Sequence, residues 1–75
     1  MPRSLRIRPQ YVDRVRLAVR RNGFPTQRAL AEELGLALDT VGKFLRGKPV
    51  DRAIFEELCD RLSLDSKEIA TFDVS

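Results

Sequence analysis

Gly35 constrains this chain more than any other residue, because of what stands on either side of it. Before it, Leu30, Ala31 and Leu34 recur at helical spacing. After it, Val41, Phe44 and Leu45 do the same, with Leu38 at the edge of the stripe. A glycine directly after the last apolar position of a helix supplies the left-handed residue at which the helix stops and the chain turns sharply. Thr26 is a good N-cap for the first helix, and Gly47 and Pro49 close the second. Two amphipathic helices joined this tightly must cross steeply if both apolar faces are to reach one core. Residues 26–47, TQRALAEELGLALDTVGKFLRG, are therefore predicted to form a helix-turn-helix.

The flanks extend the helical pattern. Tyr11, Val12, Val15, Ala18 and Val19 keep helical spacing from Pro9 to Arg21, and Asn22-Gly23 with Pro25 ends that run. Residues 51–62 predict a fourth helix on Ile54, Phe55, Leu58, Cys59 and Leu62. Asp65 starts a short fifth helix, with Glu68 completing a capping-box pattern, and Ile69 and Phe72 are expected to pack back on the domain. The expected fold class is all-α, a compact five-helix domain. Its core should draw on Val15, Val19, Leu30, Leu34, Val41, Phe44, Leu58 and Leu62. The expected organisation is a basic extended arm at 1–8, the helix-turn-helix domain at 9–72, and a tail or the start of a linker at 73–75. A chain of 75 residues allows one domain, near the lower limit for a self-sufficient core.

Charge divides the chain. Residues 1–48 carry eleven Lys or Arg against four Asp or Glu, net +7. Residues 49–75 carry three against seven, net −4, giving the +3 of the whole. This division suits either one face built for a polyanion or a solvated helical surface with chance asymmetry. No apolar run approaches the ~20 residues of a membrane span, and the N-terminus lacks a signal peptide's apolar centre, so a cytoplasmic location is expected. The single cysteine, Cys59, agrees with a reducing compartment.

Catalysis is not expected. The chain has no histidine, the commonest general acid–base and metal ligand, and Cys59 falls on an apolar stripe. Asp51, Glu56, Glu57 and Asp60 do not match metal-loop spacing, and there is no glycine-rich phosphate loop. Neither a metal nor a cofactor is expected.

The intervals carry further information. Ala31 lies four residues after Gln27, Gly35 four after that, Val41 six later and Phe44 three later. Together with Thr26-Gln27 at the start and Phe44-Leu45-Arg46-Gly47 at the end, this set resembles the helix-turn-helix of the lambda-repressor-like (Cro-type) family. The flanking helices, over roughly residues 9–70, are similar to that family's five-helix domain. The resemblance implies a transcription-regulator type of domain that binds double-stranded DNA by laying its second motif helix in the major groove. The runs SLRIRPQYVDRVRLAVRRNGFPTQRALAEELGL and GKPVDRAIFEELCDRL also look like the N-terminal head domains of large bacterial signalling ATPases. That resemblance implies an alternative: an adaptor that binds another protein or downstream domains of the same chain.

Carried over residue by residue, the first resemblance puts Leu38, Asp39, Gly42 and Lys43 at base-facing positions, with Thr40 at the margin. It puts Gln27 and Arg28 where the family grips phosphate. Lys43 has the chemistry to donate to guanine O6 or N7, while Arg46 and Lys48 are expected on phosphates. Leu38 can touch only a thymine methyl. Asp39 suits either cytosine N4 or the positive end of its own helix. Arg3, Arg6 and Arg8 form either a groove-following arm or a solvated terminus. On a helical wheel Arg14, Arg16, Arg20 and Arg21 point away from the apolar stripe of the first helix, with Leu17 among them. A monomer or weak homodimer is expected, because the apolar stripes are all used internally.

Overall fold

The computed structural model describes residues 4–72. The expected tail at 73–75 and the first three residues of the expected arm lie outside them. The chain opens with a short strand, β1 (Ser4–Ile7), and a 3-10 turn at Pro9–Tyr11. The helices α1 (Val12–Arg21), α2 (Gln27–Leu34) and α3 (Leu38–Leu45) follow, then strand β2 (Val50–Asp51). Helices α4 (Arg52–Arg61) and α5 (Ser66–Ile69) and strand β3 (Ala70–Phe72) complete the fold.

The helices start and stop for local reasons. Thr26 accepts a hydrogen bond from the backbone N–H of Ala29 at 3.1 Å, which caps α2. Asp51 accepts from the Ala53 N–H and Asp65 from the Lys67 N–H, each at 3.0 Å, capping α4 and α5. The expected return bond of a capping box at α5 is replaced by another contact. The Glu68 carboxylate instead lies 3.8 Å from the Arg14 guanidinium on α1.

The expectation of an all-α domain is overturned. The strands form a three-stranded antiparallel sheet in the order β2-β1-β3, with Leu5 opposite both Val50 and Phe72, and Ile7 opposite Ala70. The reason lies in the alternation of Leu5 and Ile7 with Arg6 and Arg8. In an extended strand successive side chains point to opposite faces, so both apolar residues enter the core while the two arginines stay exposed. Residues 4–7 are thus the central strand of the sheet rather than a free arm. Beyond the strand the Arg8 N–H donates to Ile69 O at 2.8 Å, and its Nε donates to Ala70 O at 3.1 Å.

The core lies between the helices and the inner face of this sheet. Val15, Val19, Leu30, Val41, Phe44, Leu58 and Leu62 are buried as expected, whereas Leu34 is only half-buried. Phe44 of α3 and Phe55 of α4 meet edge to face at 5.2 Å between ring centroids, a favoured aromatic geometry. Ile69 packs inward, but Phe72 remains 59% exposed, contrary to expectation.

Candidate nucleic-acid interface

The turn between α2 and α3 rests on Gly35. Its φ of +67° and ψ of 30° are left-handed, a conformation that costs a residue with a Cβ. Its N–H and that of Leu36 reach back to carbonyls of the last turn of α2, the Leu36 bond to Ala31 O measuring 2.9 Å. Leu30 and Ala31 from α2 and Val41, Phe44 and Leu45 from α3 are all buried. The two helices therefore turn their apolar sides into the core, and Gln27 at the start of α2 meets Gly42 of α3.

Of the expected site residues Gln27, Arg28, Leu38, Asp39, Lys43, Arg46 and Lys48 are exposed, and Thr40 is half-buried. The N-terminus of α3 carries no side-chain cap, because Ala37 stands at the capping position. Asp39 in the first turn faces Lys43 one turn on, with Oδ2 and Nζ 3.5 Å apart. Both are solvent-exposed, so the pair contributes at most ~0.5 kcal/mol to stability. Its chemical effect is greater: the one lysine expected to read a base lies beside a carboxylate.

Gly42 departs from expectation in another way. It belongs to the outward stripe of α3, yet it is buried. A Cβ built on Gly42 would lie 3.1 Å from Arg46 Nη1 and 3.6 Å from Gln27 Oε1. The Arg46 side chain, pointing back toward the helix N-terminus as helical side chains do, covers the glycine together with the Gln27 amide. Gly42 is therefore not itself presented to solvent. Its missing side chain makes room for the head group of its neighbour one turn later.

Arg16 is not among the residues expected to contact DNA. Its Nε donates to Leu45 O at 3.1 Å, satisfying a carbonyl at the C-terminal end of α3 and tying α1 to that helix. With Arg20, Leu17, Phe24, Thr26 and Gln27 it lines an open cleft of about 410 Å³ between α1 and the start of α2. The signal available in the sequence was the run of arginines off the apolar stripe of α1. Which of them reaches α3 depends on how the helices pack. Leu17 is 47% exposed on the cleft and Leu38 is 42% exposed on α3.

Among the described residues no cluster of His, Cys, Asp or Glu has the arrangement of a metal site. No helix among them is long and apolar enough to cross a membrane. Cys59 is buried in the core, and burial, reinforced by the Asp65 and Glu56 carboxylates, pushes its thiol up to about 12. Comparison with family models, curated proteins and solved structures returned no match to this chain.

Proposed function

We propose that this chain is a cytoplasmic, non-enzymatic DNA-binding domain that places α3 in the major groove of a duplex. The observation that carries this reading is the set of exposed polar and cationic side chains on and beside α3. Asp39 and Lys43 are exposed on the helix itself, with Gln27 and Arg28 exposed at the start of α2 and Arg46 and Lys48 exposed after α3. The major groove admits one α-helix, and cations beside that helix are where phosphates pass. Most of the affinity then comes from phosphate contacts. Neutralising each phosphate contributes about 0.9 to the log–log slope of affinity against salt.

Titration with random duplex at two salt concentrations tests the reading. Arg28→Ala or Lys48→Ala should weaken all sequences alike and flatten the slope by about one unit. Asp39→Asn should tighten binding generally, since it removes a negative charge from the groove-facing surface and releases Lys43 from its partner. A wild-type chain that holds no duplex even at low salt would exclude DNA as the ligand.

The exposure of Leu17 among Arg16 and Arg20 favours a second reading. In it the domain is an adaptor and the cleft beside α1 receives another protein or a downstream domain of the same chain. That reading predicts negligible duplex binding near physiological salt and no effect of Asp39→Asn. It also predicts loss of partner capture on Leu17→Ser.

A further inference from the structure

The geometry points to Arg46, working through the gap at Gly42, as the residue that sets base preference. It would read a guanine opposite the middle of α3. The inference rests on the DNA-binding reading above and replaces the phosphate role expected for Arg46 from the sequence.

Three observations converge. First, Arg46 stands at the C-terminal end of α3, where its own Cα would place a side chain near the edge of a groove rather than over bases. Its head group is not there. Arg46 Nη1 and Cζ lie 3.1 and 3.8 Å from the point a Gly42 Cβ would occupy, one helical turn back, a displacement of about 6 Å along the axis. The guanidinium therefore lies about one turn back along α3, over Gly42 on the side of the helix that meets Gln27 of α2.

Second, Gly42 is buried while every charged residue around it is exposed, so the guanidinium lies down against the helix instead of extending into solvent. Gln27 Oε1, 3.6 Å from the same point, borders it from α2.

Third, the rival reader is engaged. Lys43 Nζ lies 3.5 Å from the Asp39 carboxylate, and a lysine offers a point charge where guanine O6 and N7 present two acceptors side by side. A planar guanidinium matches that pair with two parallel N–H donors. Arg28 and Lys48, off the centre of the face, remain for phosphate.

Arg46→Lys is the decisive variant, because it keeps the charge and removes the fork. Selection from random duplex defines a preferred site for the wild type, and binding is then compared on that site and on copies with single G·C pairs changed to A·T. The wild type should lose roughly 5- to 150-fold at one central pair, the worth of one bidentate contact. Arg46→Lys should abolish most of that discrimination, weakening the preferred site far more than random duplex. Gly42→Ala, whose Cβ would lie 3.1 Å from Arg46 Nη1 and push it aside by a few tenths of an ångström, should weaken the same discrimination without lowering the melting temperature. Undiminished discrimination in Arg46→Lys overturns the inference and leaves DNA binding standing. So does equal weakening on all sequences. A wild-type chain that binds no duplex overturns both.

Discussion

Ile7→Ala separates a strand that belongs to the core from an arm that does not. Ile7 is 1% exposed, lies in the central strand and pairs with Ala70. The substitution removes three carbon atoms. At about 0.8 kcal/mol for each buried methylene the transfer loss is about 2.4 kcal/mol. The cavity left between the sheet and the helices raises the expected cost to about 2–5 kcal/mol. Domains hold roughly 0.05–0.15 kcal/mol of stability per residue, which is about 4–11 kcal/mol for a chain this size. One side chain near the N-terminus should therefore account for a large share of the total. At about 4–8 °C per kcal/mol the melting temperature should fall by roughly 10–40 °C, read from the helical circular dichroism signal on heating. Arg6→Ala is the internal control, being on the same strand with its side chain exposed. Its effect should stay within about 0.5 kcal/mol. If Ile7→Ala melts within a few degrees of the wild type, β1 does not contribute to the core and the sheet is not part of the cooperative fold.

Ala37→Ser should stabilise the domain by about 1 kcal/mol. It supplies the hydroxyl that the extended Ala37 backbone is already placed to offer to the first turn of α3, and a shift in urea midpoint at constant slope is the readout. The Cys59 thiol, raised from 9.0 to about 12 by burial and the nearby carboxylates, should react with disulfide reagents only when the chain opens. Folding holds its proton, so this contribution is fully present below about pH 9 and is lost as pH rises from 9 toward 12. Stability should fall by on the order of 1 kcal/mol per pH unit there, a slope that Cys59→Ala should lack. Sedimentation at micromolar concentration should find a monomer or a weak dimer, because the large exposed apolar residues among the described ones, Leu17, Leu38 and Phe72, are too few for an obligate interface. A tight dimer would show that one of them belongs to a larger apolar patch.

The local physics of the helices was legible in the residues. The apolar spacing around Gly35, the caps at Thr26 and Asp65, and the inward set of Val41, Phe44 and Leu58 depend on neighbours within a turn or two. Sequence order carries that information directly. The sheet was not legible, although Leu5 and Ile7 alternate with arginines in full view. A four-residue strand has no local partner, and its pairing residues at Val50–Asp51 and Ala70–Phe72 lie beyond three and five helices. Only the closing of the helical block brings them together, and only then does the alternation become burial. The same holds on the surface of α3. Its residues share a stripe by helical periodicity alone. That Gly42 lies beneath Arg46 and Gln27, and that Arg16 reaches the end of the helix, follows from how α1, α2 and α3 pack. Periodicity determines which side of a helix a residue occupies. Long side chains cross to neighbouring positions, and tertiary packing decides where their charges come to rest.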